Sequence, residues 1–239
     1  MTSEIFEALE PAAAILGSPL TTEQREQIVR YLALLAEWSK KARLTTITRP
    51  LDAVRLHILD SLLCLQAGIP QGASVLDVGS GAGLPGIPLA IARPDLVVTL
   101  LEAASRKAAF LEVAVVELGL SVEIESSRAE EAAHEPELRE QFDVVVARAV
   151  APLPALSELT LPFVRVGGKA VLLKGPGVGR ELDPGRRAAA LFGGGEWQVF
   201  YAELPGGVRR AVVEVAKLTA TPQAYPRRPG VPVKRPLGF

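Results

Sequence analysis

The sequence predicts an α/β protein in which N-terminal helices precede a mostly parallel, seven-stranded sheet with one antiparallel strand. After residue 70, short apolar segments alternate with helical segments, an order typical of parallel strands joined by crossover helices. Several of these segments are unbroken runs of Val, Ile and Leu, as expected for strands buried on both faces. The last two are separated only by Leu204-Pro205-Gly206-Gly207. Because that link is too short for a crossover helix, we expect an antiparallel hairpin.

The first 70 residues are expected to form three helices and no strand. Helices are predicted at residues 4–16, 22–39 and 51–66, and Thr21 has the position of an N-cap for the second. Apolar residues recur at helical spacing along that second helix and form one stripe: Ile28, Tyr31, Leu32, Leu35 and Trp38.

The remaining elements follow the order of an α/β fold. The predicted strands lie at residues 74–78, 96–101, 122–125, 142–147, 169–174, 196–203 and 208–218. The predicted helices between them lie at residues 85–92, 106–118, 129–140 and 153–159, and no element is predicted from 175 to 195. The last 20 residues contain five prolines and are expected to form no regular element. The chain thus divides into a helical extension at 1–70, a sheet domain at 71–218 and a proline-rich tail at 219–239.

Composition limits the class of protein. The chain has one cysteine, Cys64, so it forms no intrachain disulfide, and with two histidines we expect no metal site. It has no run of about 18 uncharged apolar residues, so we expect no membrane span. The first residues lack the basic and apolar regions of a signal peptide. We therefore expect a cytoplasmic protein.

A glycine-rich turn between the first predicted strand and the next helix is the central motif. Gly79, Gly81 and Gly83 stand at alternating positions, and glycine permits a sharp turn and a close approach of a ligand. Glu102 ends the second strand, where its carboxylate can accept hydrogen bonds from both hydroxyls of a ribose. Ligands of open parallel sheets bind beyond the carboxyl ends of the strands. These residues predict a nucleotide-type site, the alternative being a purely structural loop.

Asp77 favours a cationic ligand over a dinucleotide. It stands just before the turn, where a negative charge suits a cationic ligand better than a pyrophosphate. The terminal hairpin is also foreign to the plain dinucleotide fold. Both features resemble the Rossmann-like class I methyltransferases, which bind S-adenosylmethionine, a sulfonium cation. That resemblance implies that Asp77 lies near the methionine end of the cofactor. The alternative role for Asp77 is to cap the helix after the turn.

Longer phrases of the sequence are more specific than a glycine turn. They lie at residues 57–62, 77–94, 127–130, 148–151 and 174–175. Together they resemble the glucose-inhibited division protein B family, over nearly the whole chain. The resemblance implies methylation of guanine N7 in the 530-loop region of 16S ribosomal RNA, with S-adenosylmethionine as cofactor. The chain departs from the family at Arg43, where Asn is usual, and at Ser127, where Gly is usual.

The resemblance also implies roles for single residues. Gly79 and Leu84 would contact the cofactor from the turn that Gly81 and Gly83 shape. The residues that would line its ribose and adenine sides are Glu102, Ala103, Ala104, Ala129 and Glu130. Arg148, after the fourth strand, would reach the methyl-transfer end, both as the catalytic residue and as a cofactor contact.

N7 methylation agrees with the side chains after the fourth strand. Guanine N7 has a free lone pair and no proton, so the reaction needs positioning rather than a general base. Ala147-Arg148-Ala149 differs from the Asp/Asn-Pro-Pro-aromatic phrase of exocyclic amine methyltransferases. Cys64 is expected in the core rather than as the thiol of a C5-pyrimidine methyltransferase. The end of the fourth strand also offers no base for a ribose hydroxyl.

Three further residues have two possible roles each. Arg148 can contact guanine O6 or an RNA phosphate, since its guanidinium is planar and bidentate; alternatively it pairs with the acidic segment before its strand. His57 is a satisfied core histidine or a site residue, with Asp60 and Ser61 one turn on as its partners or as pocket lining. Lys174 is a residue of the same crevice or of the surface.

RNA binding is predicted from local charge, although the net charge is −1. Residues 219–239 include four bases and no acid, and a stiff, extended basic tail suits phosphates. The predicted RNA-binding residues are Lys40, Lys41, Arg43, Lys174, Arg227, Arg228, Lys234 and Arg235. The expected partner is 16S ribosomal RNA or the small ribosomal subunit, bound by a monomer. An ordinary solvated surface is the alternative.

Three other functions compete with this prediction. A class I methyltransferase that acts on another RNA, a protein or a small molecule would share the turn without needing the basic tail. A nicotinamide-dependent oxidoreductase would need an acid for hydride chemistry that the sequence does not offer. A non-catalytic RNA-binding protein with a relic fold would not need an intact turn, Glu102 and Arg148.

Overall fold

The computed structural model describes residues 2–238 of the chain, and these form one seven-stranded sheet flanked by helices. The strands are β1 (Ser74–Val78), β2 (Val97–Leu101), β3 (Val122–Glu125), β4 (Phe142–Arg148), β5 (Val164–Lys174), β6 (Gly194–Leu204) and β7 (Val208–Lys217). Their order is β3-β2-β1-β4-β5-β7-β6. Pairing is parallel from β3 to β5, and among the described strands only β7 runs the opposite way. The predicted sheet with one antiparallel strand is confirmed.

Helices cover both faces of the sheet. They are α1 (Thr2–Ala8), α2 (Ala12–Leu16), α3 (Thr22–Ala42), α4 (Pro50–Ala53), α5 (Asp60–Leu62), α6 (Gly86–Ala92), α7 (Ser105–Leu118), α8 (Ala129–Ala132), α9 (Leu153–Thr160), α10 (Gly179–Ala190) and α11 (Val231–Lys234). A π-helical turn, Val54–Leu59, joins α4 to α5, and a 3-10 helix, Leu63–Ala67, follows α5. Within the described part of the chain, no helix combines the length and apolar character needed to cross a membrane.

Proline explains three differences from the predicted helices. The helix predicted at 4–16 is two helices, α1 and α2, with Pro11 between them, because proline interrupts the backbone hydrogen bonding of a helix. The helix predicted at 129–140 is helical only over Ala129–Ala132, and Pro136 follows. The tail, predicted to form no regular element, contains α11. Pro232 is tolerated there because it lies in the first turn of α11. The amide hydrogen that proline lacks would have no partner within the helix at that position.

Helix α10 lies in the segment for which no element is predicted. Glycine and proline, which weaken helix propensity, occur inside it. Packing requires the glycine at position 185. A Cβ atom there would lie only 2.9 Å from the side chains of Leu153 and of Trp197, closer than carbon atoms normally approach. The close approach of α10 to α9 and β6 therefore outweighs the local propensity.

The sheet separates two apolar cores. Along β4, Val144 and Val146 belong to the core under α1, α3, α6 and α7, whereas Val145 and Ala147 belong to the core under α9 and α10. The predicted burial of the strands on both faces is thus confirmed for β4. Cys64 is fully buried in the first core, as predicted.

Helix α3, the longest of the N-terminal helices, contacts the glycine-rich turn. Thr21 caps α3 as predicted: its hydroxyl accepts a hydrogen bond from the Gln24 amide at 3.2 Å, and its own amide donates to Gln24 Oε1. Ten residues into the helix, the buried Tyr31 hydroxyl donates to the Ala82 carbonyl at 2.7 Å. The N-terminal helices therefore fix the position of a residue inside the turn.

Candidate functional site

The carboxyl ends of β1 and β4 meet at the centre of the sheet, where the chain order of the strands reverses. Two cavities lie there, as expected for a ligand site in an open α/β sheet. The glycine-side cavity, about 270 Å³, is lined by Val78, Gly79, Leu101, Glu102, Ala103, Ser127, Arg128, Ala129, Glu130, Val150, Leu159 and Val233. The arginine-side cavity, about 330 Å³, is lined by Ile47, Leu56, His57, Asp60, Arg148, Ala149, Leu173, Lys174, Gly175 and Arg210.

The turn after β1 needs its glycines for backbone geometry. Gly79, Gly81 and Gly83 have φ values of 69°, 60° and 85°, in the left-handed region that other residues rarely adopt. The Gly79 amide donates to the Leu101 carbonyl at 2.8 Å. A Cβ on Gly79 would lie 2.9 Å from Val150 Cγ2. The turn is therefore held close to β2 on one side and to the segment after β4 on the other.

Glu102 joins this turn to the end of β2. Its Oε2 accepts a hydrogen bond from the Gly81 amide at 2.8 Å, and its Oε1 accepts one from the Ala104 amide at 2.7 Å. The side chain is buried but lines the glycine-side cavity. Since each carboxylate oxygen has a second lone pair, Glu102 can accept ligand hydroxyls while it orders the turn.

The structure brings together five of the eleven residues predicted for the cofactor. The residues that line the glycine-side cavity are Gly79, Glu102, Ala103, Ala129 and Glu130. Arg148 lines the arginine-side cavity instead. The remaining five line neither cavity, and they are Asp77, Gly81, Gly83, Leu84 and Ala104. Two of these, Gly81 and Ala104, donate backbone amides to Glu102.

The chemistry of the glycine-side cavity fits the nucleoside part of S-adenosylmethionine. Apolar side chains of Leu101, Leu159 and Val233 provide a surface for a base, and Glu102 provides a carboxylate for ribose hydroxyls. The Ser127 Oγ atom is buried and has no hydrogen-bond partner among the described residues. An unpaired buried hydroxyl is costly unless a ligand satisfies it. Sequence reasoning noted Ser127 only as a departure from the family.

Asp77 has the position of the capping alternative rather than a cavity position. Its Oδ2 accepts a hydrogen bond from the amide of Gly86, the first residue of α6, at 2.8 Å. Its Oδ1 is buried without a hydrogen-bond partner among residues 2–238. Loss of solvation on burial raises the pKa of Asp77 to about 7, although the Gly86 hydrogen bond and the charge of Arg148 act in the opposite direction.

A buried carboxylate organises the arginine-side cavity. Asp60 Oδ2 accepts a hydrogen bond from Arg148 Nη1 at 2.9 Å, and its Oδ1 accepts one from Arg210 Nε at 2.8 Å. Arg148 Nη1 also donates to the Leu56 carbonyl at 2.9 Å. The alternative that Arg148 pairs with the acidic segment before β4 is therefore wrong. Sequence reasoning missed Arg210, because it is one of four charged residues along β7 and nothing in the sequence distinguishes it from the other three.

His57 is a satisfied histidine at the edge of the same cavity. Its Nε2 lies 3.0 Å from Thr45 Oγ1, and its Nδ1 lies 3.2 Å from the Leu56 carbonyl, which can only accept. Burial and the neighbouring charge of Arg148 lower the pKa of His57, which favours the neutral ring. The predicted alternative partners Asp60 and Ser61 do not hydrogen-bond the ring; Ser61 instead donates to the His57 carbonyl.

The π-helical turn explains how these groups converge. π-helical turns are rare and often occur at functional sites. This one carries Leu56 and His57, and Asp60 begins the helix that follows. The Leu56 carbonyl accepts a hydrogen bond from the side chain of Arg148, which lies outside the helix. The spacing of apolar residues at 51–66 does not distinguish such a turn from the ordinary helix predicted there.

Lys174 lies in the crevice but is held by neighbouring groups. Its Nζ contacts Glu181 Oε2 at 2.8 Å and donates to the Ala151 carbonyl at 3.2 Å. Glu181 also accepts a hydrogen bond from the Leu153 amide. Lys174 thus joins the end of β5 to the starts of α9 and α10.

Apart from Lys174, the predicted RNA-binding residues fall into two groups, and none of them lines either of the two cavities. Lys40 and Lys41 end α3, and Arg43 is its C-cap in the left-handed conformation, with φ of 50°. The tail residues Arg227, Arg228, Lys234 and Arg235 line a third cavity. The expectation of an extended tail is wrong, because the tail folds back on α9: Arg227 forms an ion pair of 2.6 Å with the fully buried Glu158.

Comparisons with known proteins agree with this architecture. The model of the family described as rRNA small subunit methyltransferase G, GidB, matches residues 24–203. A protein of Moorella thermoacetica named ribosomal RNA small subunit methyltransferase G is 45% identical, over 92% of this chain and 93% of its own. A protein of the same name from Pelotomaculum thermopropionicum is 42% identical, over 98% of this chain and 100% of its own.

Solved structures show the same fold at low sequence identity. A protein described as a predicted O-methyltransferase from Agrobacterium tumefaciens superposes with a TM-score of 0.53 at 21% identity, over 67% of this chain and 84% of its own. A methyltransferase from Pyrococcus furiosus gives a TM-score of 0.52 at 16% identity, over 67% and 83%. The sheet order and the family match lead to one conclusion: the chain belongs to the rRNA small subunit methyltransferase G (GidB) family.

Proposed function

We propose that this protein transfers the methyl group of S-adenosylmethionine to N7 of a guanine in the 530-loop region of 16S ribosomal RNA. The observation that carries the proposal is the adjacency of the two cavities. Ala149 lines the arginine-side cavity and the next residue, Val150, lines the glycine-side cavity. A cofactor and an acceptor base would therefore meet across one turn. Membership of the family supports ribosomal RNA of the small subunit as the substrate class.

Residues of the glycine-side cavity would hold the cofactor. Glu102 would accept the ribose hydroxyls, Ala129 and Glu130 would flank the adenine, and Ser127 Oγ is a free donor and acceptor for a polar edge of the base. Bound S-adenosylmethionine supplies a methyl group that its sulfonium activates for direct transfer. Asp77 would act indirectly, because its hydrogen bond to Gly86 fixes the start of α6 under the turn.

Residues of the arginine-side cavity would position the guanine. Asp60 and the Leu56 carbonyl fix the guanidinium of Arg148, and a guanidinium has five N–H donors in one plane. The remaining donors of Arg148 can bind guanine O6, which leaves the neighbouring N7 lone pair free to attack. No residue needs to remove a proton, because guanine N7 carries a lone pair and no hydrogen. The enzyme contributes alignment of the N7 atom with the methyl group and the sulfur. Holding reactants in the reactive geometry removes a large part of the activation barrier of such reactions.

The turn between the cavities has an unusual backbone. Ala149 has φ of 57°, in the left-handed region that costs a non-glycine residue roughly 1–2 kcal/mol. Such strain is most often kept where it serves a site. Here it would direct Arg148 into one cavity and Val150 into the other.

Contact with RNA would come from the basic residues outside the crevice. We propose Lys40, Lys41 and Arg43 at the end of α3 and Arg228, Lys234 and Arg235 in the tail as phosphate contacts. Lys174 and Arg227 are less suited, because Glu181 and Glu158 already pair with them. Phosphate contacts would weaken as salt is raised.

The experiment is a methyl-transfer assay with position mapping. Purified protein and labelled S-adenosylmethionine are incubated with 16S RNA, or with small ribosomal subunits, from cells that lack this gene. Borohydride–aniline cleavage then maps 7-methylguanosine. One labelled guanine in the 530-loop region supports the proposal. Tight cofactor binding without transfer to either substrate would assign the protein to another acceptor, and absence of cofactor binding would exclude a methyltransferase.

A further inference from the structure

The C-terminal segment, residues 225–235, forms part of the wall of the glycine-side cavity. Its short helix, α11, packs against α9. Val233 of α11 and Leu159 of α9 line the cavity together with Glu102 and Glu130. The side chain of Val233 is half-exposed and apolar, so the tail presents an apolar contact to the same space as the predicted adenine residues.

A buried carboxylate anchors the start of this segment. Glu158 Oε1 accepts hydrogen bonds from the backbone amide and from Nε of Arg227, at 2.8 and 2.9 Å, and its Oε2 accepts one from Arg227 Nη2 at 2.6 Å. Arg227 Nη2 also donates to the Arg235 carbonyl at 2.9 Å, which closes the segment on itself. Glu158 is fully buried, and a buried carboxylate needs such partners to remain charged. The anchor is therefore specific rather than a loose surface contact.

A second buried carboxylate belongs to both the cavity and the segment. Glu130 Oε1 accepts a hydrogen bond from the Gly230 amide at 2.7 Å, and Glu130 lines the cavity. Gly230 has φ of 80° and is the N-cap of α11, so this amide begins the helix that carries Val233. The position of Val233 is thus fixed relative to Glu130 through one hydrogen bond and three residues of chain.

We propose that the C-terminal segment is a wall of the cofactor site, with Val233 in contact with the adenine ring of S-adenosylmethionine. This inference rests on the proposed function. An adenine face is apolar and planar, and burial against the Val233 methyl groups would add to its affinity. The tail then determines cofactor affinity through Val233 and holds Glu130 in place through Gly230.

The test is equilibrium binding of S-adenosylhomocysteine, the reaction product, measured by titration calorimetry on the full chain. In Val233→Asp a carboxylate would face the base and stand near Glu102 and Glu130, so affinity is expected to fall at least about tenfold. Val233→Ala, which only removes apolar contact, is expected to lose about threefold. The matched control is Val166→Asp, at a residue of nearly equal exposure, 49% against 50%, near the start of β5 and away from both cavities.

The outcomes separate this inference from the proposed function. The inference is supported if the wild-type protein binds S-adenosylhomocysteine, Val233→Asp binds it more weakly, and Val166→Asp binds it with wild-type affinity. Equal binding by wild type and Val233→Asp, or equal losses in both aspartate variants, overturns it and leaves the methyltransferase function intact. A wild-type protein that does not bind S-adenosylhomocysteine overturns both.

Hydrogen exchange gives a second readout that does not depend on a substitution. Amides of residues 227–235 are expected to exchange more slowly in wild-type protein when S-adenosylhomocysteine is added, because the ligand would pack against this segment. Exchange at the exposed start of β5 is expected to remain unchanged. Bound ligand with no protection of residues 227–235 would contradict the inference.

Discussion

The two cavities at the carboxyl end of the sheet are built in different ways. The glycine-side cavity depends on backbone geometry near the turn, where Glu102 accepts a hydrogen bond from Gly81, 21 residues earlier. The arginine-side cavity depends on ion pairs between distant parts of the chain. Asp60 bonds to Arg148 across 88 residues and to Arg210 across 150 residues. The contact between the turn and Glu102 is encoded locally, whereas the ion pairs of Asp60 exist only once β4, β7 and the N-terminal helices have assembled.

The two buried aspartates of the site show the same contrast. Asp60 has a guanidinium on each carboxylate oxygen, so its charge is compensated. Asp77 has a backbone amide on one oxygen and no partner on the other among the described residues, and its pKa is raised to about 7. Asp60 therefore fixes the two arginines of the arginine-side cavity, and Asp77 supports the start of α6.

The largest effect is expected when the carboxylate of the arginine-side cavity is neutralised. Asp60→Asn removes the charge that compensates two arginines, and breaking a buried ion pair costs about 3–5 kcal/mol. We expect kcat/KM for methyl transfer to fall on the order of 100-fold, with S-adenosylhomocysteine affinity unchanged within about twofold. Asp52→Asn, at a more exposed ion pair with Arg55, is the control. Equal losses in transfer and in cofactor affinity would show that the cavities do not act separately.

A substitution of Glu102 is expected to have the opposite pattern, with a change in cofactor affinity and no change in the binding of the acceptor. Glu102→Gln retains the size and one acceptor oxygen but loses the charge, so S-adenosylhomocysteine affinity is expected to fall about tenfold, the value of one charged hydrogen bond. Binding of small subunits is expected to stay unchanged. Glu117→Gln, on the exposed side of α7, is the matched control. A variant that binds the cofactor normally would remove Glu102 from the cofactor site.

These residues also show what sequence could predict. The parallel strands, the hairpin, the glycine turn and Glu102 follow from local patterns, because strand runs, turn glycines and an acid at a strand end are each read within a few residues. Arg210, Ser127 and the tail contacts could not be predicted, because each depends on which side chains the finished fold brings near. The π-helical turn was also missed, since its sequence has ordinary helical periodicity.

Asp77 predicts a pH dependence of stability. Its pKa is about 7 in the folded chain and 3.8 for an ordinary aspartate, so the folded state binds the proton more tightly. The stabilisation is present below about pH 4 and is lost as the pH rises through 7. Relative to Asp77→Asn, the Tm of wild-type protein is expected to decline by about 5 °C between pH 5 and pH 8. Parallel curves for the two proteins would contradict the raised pKa.

The smallest effect is expected outside both cavities. Arg43 caps α3 with φ of 50°, a conformation that Asn tolerates better than Arg. Arg43→Asn is expected to raise the Tm by about 2 to 4 °C, corresponding to about 1 kcal/mol in a chain of this size, with S-adenosylhomocysteine affinity unchanged. Differential scanning calorimetry measures the first quantity, and a lower Tm would show that the arginine side chain stabilises the fold by other contacts.

The central claim is that Arg148 positions the acceptor guanine across the turn from the cofactor. Single-turnover methyl transfer by Arg148→Lys, with S-adenosylmethionine and unmodified small subunits both saturating, tests it most directly. Lysine keeps the charge but loses the planar donors, so the transfer rate is expected to fall at least about thirtyfold, equivalent to about 2 kcal/mol, while S-adenosylhomocysteine binds as in wild type. A wild-type rate of transfer would contradict the claim.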